Sequence, residues 1–398
     1  MRIFFPFLLL LITSFFVKEQ PQKKIENPIS KAEEQEIKLM FVGDIMGHGP
    51  QIKSAEIVKE EVYDYRPCFE YVRPILQEAD LAIGNLEVTL PGKPPYHGWP
   101  NFRSPDDLAD GLWYAGFDLL TTSNNHSNDA GKNGVINTIK TLKEKGFYHT
   151  GTYRNALEKD LTHPLIVYKK GFKLAFLNYT YGTDLKKHRP PTVVNLIDPT
   201  QMRKDLRIAR RMKADAIFVL IHWGREYEIE ESSAQREMAM ELLEWGADLV
   251  IGSHPHVVQP IVEYPMKNKK GLRKTKLVSY SLGNFISNQK KTNTDGGIIL
   301  EIDLVKNQET KVTEIKDHHY IPVWRYIQKT KNDKTTFYTL PISIAEANAN
   351  EIPDLNAKDQ QAMNRYATFI RKHLEKSDCP ERKIKRDLSE IELSTLFH

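Results

Sequence analysis

Short apolar runs of strand length recur from Ile37 onward, and several stop at a cluster of carboxylate, amide or imidazole side chains. The runs are Ile37 to Val42, Leu81 to Ile83, Phe117 to Thr121, Leu174 to Leu177, Ala216 to Ile221, Leu249 to Ile251 and Leu277 to Tyr280, with Ile298 to Leu304 as a closing strand. Amphipathic stretches separate them. Val135, Ile139 and Leu142 fall at helical spacing, as do Met238, Leu242 and Trp245, and Gly146 and Gly246 stand where such helices should stop. Alternating strand and helix specifies an α/β protein. Ligands bind such sheets at the carboxyl ends of the strands, so the polar clusters are expected to meet in one crevice.

Composition narrows the class. The 398 residues leave room for two or three domains at roughly 100 to 200 residues each. With 40% hydrophobic and 27% charged residues, the chain is neither a disordered polyelectrolyte nor a polytopic membrane protein. A net charge of +4 is too small to argue for nucleic acid, and the basic stretch Gln201 to Lys213 reads as a solvated helix face. Two cysteines, Cys68 and Cys379, exclude a disulfide framework or a Cys-rich zinc module and read as free thiols.

Arg2 and the 15-residue apolar run Ile3 to Val17 form a secretory signal, shorter than the ~20 residues that span a bilayer. The protein is therefore expected to be exported: periplasmic, extracellular, or tethered if the segment is retained. Residues 18–36 read as a Gln/Lys/Glu/Pro-rich linker, 37–305 as the core domain, 306–350 as a β-rich extension with a strand near Thr336 to Ile342, and 351–398 as a charged helical segment centred on Ala357 to Lys376.

The chemistry lies in the clusters. Asp44 ends the first run; Asn85 and Glu87 follow the second; Asn125, His126 and Asp129 follow the third; His222 follows Val219-Leu220-Ile221; His254 and His256 follow Leu249 to Ile251. Singly, each has an ordinary structural explanation, such as a turn, a helix cap or a satisfied sheet-edge histidine. His254-Pro255-His256 resists that explanation most, because two imidazoles in one Gly-Pro loop are costly as packing and natural as ligands. Two carboxylates, an amide oxygen and three imidazoles suit one or two divalent transition ions, Mn, Fe, Zn or Ni, rather than calcium. Two such ions can activate a shared water and clamp both oxygens of a displacement. His126 would then serve as general acid, with Asp129 as its catalytic partner.

Gly43-Asp44-Ile45-Met46, Gly84-Asn85-Leu86-Glu87, Asn125-His126-x-x-Asp129-x-Gly131, His222-Trp223-Gly224, Gly252-Ser253-His254-Pro255-His256 and Ser281-Leu282-Gly283-Asn284-Phe285 together resemble the calcineurin-like metallophosphoesterases, and more closely the poly-gamma-glutamate capsule-biosynthesis (CapA-type) family. The resemblance implies a metallophosphatase-like four-layer sandwich, two mixed β-sheets flanked by helices. It also implies metal positions at Asp44, Asn125, His222, His254 and His256, and the family's acid at His126. The implied partners are an anionic polymer or a phosphorylated cell-envelope substrate, handled beside a capsule-synthesis membrane complex, and no nucleic acid. Departures from the superfamily pattern matter. Met46 stands where its first motif has a ligating His, with His48 as a compensating candidate, and Glu87 takes the bridging role, with Asn85 competing for it. Asn284 and Arg225 are further candidates near the pocket, and the loop Tyr96 to Pro105 is either a substrate wall or a surface loop. Two functions follow: a metal-dependent hydrolase of envelope polymer biosynthesis, or a non-catalytic polymer-binding module on a degenerate site. A generic secreted phosphoesterase ranks below both.

Overall fold

Side chains on a strand alternate between two faces, and in this chain the alternation divides the apolar residues between two layers. In the computed structural model, which describes residues 34–59, 61–184, 187–267, 273–329 and 335–385, they build two mixed sheets. The expected signal segment, most of the expected linker and residues 386–398 lie outside the described residues.

The first sheet has the order Thr335–Pro341, Thr313–Lys329, Gly296–Lys306, Gln35–Ile45, Leu81–Leu86, Leu119–Thr121, Tyr148–Thr150, with Asn284–Ile286 joining beside Gln35–Ile45. The second runs Ile261–Lys267, Arg273–Ser279, Leu249–Ser253, Ala216–His222, Phe172–Thr180, Leu165–Lys169. The strands that carry the expected site run parallel within each sheet: Gln35–Ile45 beside Leu81–Leu86 and Leu119–Thr121 in the first, and Phe172–Thr180 beside Ala216–His222 and Leu249–Ser253 in the second. Phe218 stacks on Phe176 at 4.9 Å and meets Phe41 across the gap at 5.5 Å, so the sheets face each other. Leu220, Leu249 and Ile251 share this inner core, whereas Ile217, Val219, Ile221 and Val250 point outward onto Met202, Leu206, Ala209, Leu242 and Leu243 of two covering helices, Pro199–Arg211 and Ser233–Trp245. The helix Ala357–His373 lies over the first sheet and buries Met363, Tyr366, Ala367 and Ile370, one helical stripe, with Asn356 capping its first turn. The helix-flanked sandwich of two mixed sheets implied by the resemblance is present.

Several expectations shift by a residue or more. Ala239, Leu242 and Leu243 are the buried row of their helix, and Met238 and Trp245 only flank it. The second strand runs on to Leu86, which places Asn85 inside the sheet. The first begins at Gln35. The polar 313–329 stretch is a 17-residue strand of the first sheet, bonded on both sides. Cys68 and Cys379 are buried free thiols, and the basic faces of Pro199–Arg211 are exposed.

One irregularity aims the site. Leu39 pairs with Leu81 and Phe41 with Ile83 in the first sheet, but the register slips between Val42 and Asp44, a β-bulge at Gly43. With unbroken alternation Asp44 would face away from the second sheet; the extra residue turns it inward beside Asn85, and sends Ile45 to the outer face. Gly43 permits this because Asp44 N donates to Gly283 O at 2.9 Å, and a Cβ on Gly43 would lie 1.9 Å from that same oxygen. Gly43→Ala is expected to lower stability by about 2 kcal/mol or more, read as a drop in the urea midpoint, because backbone rather than a flexible side chain must give way.

Candidate metal centre

The inner rows of both sheets are apolar in the middle and polar at one end. Phe218 and Leu220 are followed on the same face by His222; Leu249 and Ile251 by Ser253; Leu81 and Ile83 by Asn85 and then Glu87. The core that joins the sheets therefore delivers His222, Asn85 and Glu87 to the gap between them.

Two groups of potential ligands result, Asp44 with Glu87 and His222, and Glu87 with His254 and His256, each with its donor atoms within 4.8 Å of one another. Glu87 is common to both and fully buried. His222 Nε2 lies 2.9 Å from Asn125 Oδ1 and 3.5 Å from Glu87 Oε1, while its Nδ1 is 2.9 Å from Ser253 Oγ. His256 Nδ1 is 3.1 Å from Asp44 Oδ2 and 3.1 Å from Asn284 Oδ1, and its Nε2 is 3.8 Å from Glu87 Oε1. His254 donates its backbone N–H to Asp44. Both His254 (φ +98°) and His256 (φ +59°) hold left-handed backbone, a strained conformation that the surrounding contacts maintain. Asn85 Nδ2 donates to Asp44 Oδ1 at 2.8 Å and sits 3.3 Å from His222 Nδ1.

The electrostatics ask for a cation. Burial opposes Asp44's charge, but the hydrogen bond and charge of His256, helped by Asn85, hold its carboxyl below the ordinary value. Burial and then the neighbouring Asp44 push Glu87 well above the usual carboxylate range. Burial, reinforced by the other imidazoles, takes His222 well below its usual value and His254 down to about 3, so both rings are neutral and ligand-ready. His256 is the exception: burial lowers it, and Asp44 more than restores it. Among the described residues neither oxygen of Glu87 nor His254 Nδ1 has a hydrogen-bond partner, although all are shut off from water. Buried polar atoms are normally satisfied, so an orphaned carboxylate beside an orphaned imidazole nitrogen fits a bound cation. These buried groups can bind a metal ion.

His126 stands beside this set, its Nδ1 2.8 Å from Asp129 Oδ2, which also accepts from Phe102 N–H at 2.7 Å. Asp129 thus orients the ring, whose face meets Phe102 edge-on at 4.5 Å. Sequence reasoning missed a second layer. Asn125 Nδ2 donates to Asp184 Oδ2, which turns the amide oxygen toward His222, and Asp184 Oδ1 accepts from Tyr181 OH. Tyr181 lies over His254 at 4.7 Å and stacks on His222. The signal was available: Tyr181 follows the end of Phe172–Thr180, a parallel strand like those already read for ligands.

Other candidates fall outside the groups. His48 caps Gly49–Ala55, its Nδ1 between Gln51 Oε1 and the Asn288 N–H, and belongs to neither group; Met46 is buried in the core. Asn284 supports His256. Arg225 is exposed, on the loop that also carries Glu226, 4.0 Å from His256. The Tyr96 to Pro105 loop leaves Trp99 in solvent and reaches the centre only through Phe102.

Residues 38–289, more than half the chain, match the family profile described as bacterial capsule synthesis protein PGA_cap. The chain belongs to this family. It is 31% identical over 292 residues to the capsule biosynthesis protein CapA of Bacillus anthracis, covering 70% of this chain and 67% of that one, and 29% identical over 318 residues to the PGA biosynthesis protein CapA of Bacillus subtilis, covering 75% and 77%. Among solved structures it is similar to a calcineurin-like phosphoesterase, YfkN, of Bacillus subtilis (TM-score 0.42, 13% identity, 73% of this chain and 91% of that one) and to the NAD nucleotidase NadN of Haemophilus influenzae (TM-score 0.46, 10% identity, 85% and 61%).

Partners that orient first ligands typically change metal affinity 10- to 100-fold. Asp184→Ala is therefore expected to weaken divalent-metal binding by about that factor with the fold intact, measured by competition with a chromogenic chelator.

Proposed function

We propose that this is an exported, CapA-type, metal-dependent hydrolase of cell-envelope polymer biosynthesis. The observation that carries the reading is Glu87: a buried carboxylate with neither oxygen hydrogen-bonded, shared by two groups of histidine and carboxylate ligands. His222, Asn125 and Glu87 would hold one ion and His254, His256 and Glu87 a second, with Asp44 beside both; the N/O donor set suits Mn, Fe or Zn. When bound, such ions lower the pKa of a water and act as Lewis acids toward a phosphoryl or carbonyl oxygen. The chain's own part is positional. Asp129 fixes His126 by Nδ1 and leaves Nε2 to give a proton to the leaving group. Tyr181 covers His222 and His254 and keeps bulk water from them. The family supports an anionic polymer or a phosphorylated envelope intermediate as substrate, worked on beside a membrane complex, and the Arg2 to Val17 pattern supports export. Among the described residues no helix is long and apolar enough to cross a membrane.

A second reading, a polymer-binding module without turnover, is favoured by one feature. Asn85 presents an N–H donor between Asp44 and His222, and Met46 offers no ligand, so this side of the centre is poorer in ligands.

Elemental analysis of the untagged protein should find a transition metal that is lost in Glu87→Ala and His254→Ala. His126→Ala should keep the metal and lose about 100-fold or more in turnover of whichever envelope phosphoester or amide the parent cleaves. A parent that binds metal and polymer but turns nothing over would establish the second reading, and a parent free of metal would overturn the first.

A further inference from the structure

Asp44, Glu87, Asp129 and Asp184 each have a place in the centre described above, and Glu226 has none. It lies on the loop that follows Ala216–His222, and the backbone of that loop is fixed on either side of it. Trp223 N–H donates to Ser253 O at 3.1 Å and Trp223 Nε1 to Tyr280 O at 2.9 Å, while Tyr227 N–H donates to Pro255 O at 2.8 Å, between His254 and His256. Gly224 (φ +87°) and Tyr227 (φ +69°) are both left-handed, so the chain turns sharply before Arg225 and after Glu226. The Glu226 carboxylate is thereby brought to His256, its Oε1 4.0 Å from Nε2.

The tautomer of His256 decides what that separation means. Asn284 Nδ2 faces three acceptors, His256 O, Gln289 Oε1 and Thr294 O, which turns Oδ1 toward the ring. His256 Nδ1 therefore stands between two oxygen acceptors, Asn284 Oδ1 and Asp44 Oδ2, each at 3.1 Å, and carries the proton. In the neutral ring Nε2 is then a lone pair, 3.8 Å from Glu87 Oε1 and 4.0 Å from Glu226 Oε1. Three acceptors cannot hold one another by hydrogen bonds, and these separations are too long for any. They suit atoms that share an ion, because ligands ~2.1 Å from a transition metal stand roughly 3 to 4 Å apart.

Exposure sets Glu226 apart from the rest. Asp44, Glu87, His222, His254 and His256 are buried, whereas the Glu226 side chain is 41% exposed. Glu87, His254 and His256 already converge within 4.8 Å, three ligands with a position to spare, and an exposed side chain can rotate to join them. We propose that Glu226 is the solvent-side ligand of the ion held by Glu87, His254 and His256, at the position through which that ion enters and leaves. The inference rests on the metal-centre reading above and adds a ligand outside the positions that the resemblance implies.

The test is metal titration of the untagged full-length protein against a chromogenic chelator, with Co²⁺ as a second probe whose visible absorption reports coordination number. The parent should take up two ions. Glu226→Gln should hold one of them as the parent does and the other about tenfold or more weakly, losing it faster to chelator and with an altered Co²⁺ spectrum. Glu226→Asp keeps the charge but withdraws the oxygen by one methylene, and should lose as much; Arg225→Gln, on the same loop, should lose nothing. Should Glu226→Gln fail to fold, Glu226→Asp carries the test alone. Parental affinity for both ions with an unchanged Co²⁺ spectrum in Glu226→Gln overturns the proposal. So does full affinity in Glu226→Asp, which would make Glu226 a nearby charge and not a ligand. Either result leaves the centre standing, whereas a parent that takes up no metal overturns the centre and the ligand together.

Discussion

The close approach of Gly43 to Gly283 governs what this sandwich can do. A backbone hydrogen bond at 2.9 Å, in a space that no Cβ could share, inserts one residue into the first strand and reverses the facing of everything after it. Phe41 still packs on Phe218 across the gap, but two positions of ordinary alternation later a glycine is spent on the bulge and Asp44 takes the inner face. From there it reaches Asn85, His256 and the His254 N–H. Bulges recur beside active sites because they re-aim a side chain without disturbing the sheet that carries it.

Rigidity follows from the same construction. His222, Ser253, Asn85 and Glu87 continue rows whose earlier members are buried Phe and Leu residues, so their Cα positions are set by close-packed core. The less regular positions are held otherwise. His254 and His256 sit in left-handed backbone on the loop after Leu249–Ser253, and the nearby Glu226 to Glu231 loop is tied down by Gln259, which donates to Glu228 O and Glu230 O and accepts from Gln235. Asn125 depends on Asp184. Strand ends thus fix the direction of some ligand candidates, and hydrogen-bonded loops hold the others.

Much of this was legible in the chain itself. Apolar runs of strand length marked the parallel strands, and the rule that ligands gather at their carboxyl ends brought Asp44, Glu87, Asn125, His222, His254 and His256 into one place. The illegible parts have physical reasons. The 313–329 strand was legible only as part of a β-rich extension, because its first half pairs over polar, half-exposed positions and carries little apolar alternation. Spacing could not show that His48 lies outside the two groups, with its Nδ1 engaged by Gln51 and Asn288. Asp184 acts through hydrogen-bond geometry between distant segments, and no local pattern encodes that.

Charge balance ties the centre to its surroundings. Asp44, Glu87, Asp129, Asp184 and Glu226 gather at one end of the sandwich among the imidazoles of His126, His222 and His256. An anionic substrate would be repelled from such a cluster until cations occupied it, so a metal here changes the sign of the local field as well as the reactivity of water. The basic residues are placed to one side rather than in the centre, in a cleft lined by Arg325, Lys290, Lys291 and Arg365. Had they stood among the ligands they would have paired with Asp44 and Glu87 and removed the need for a metal. Asn284 and Gln289 stand between the two groups, so the carboxylates of the cluster are not neutralised by basic side chains.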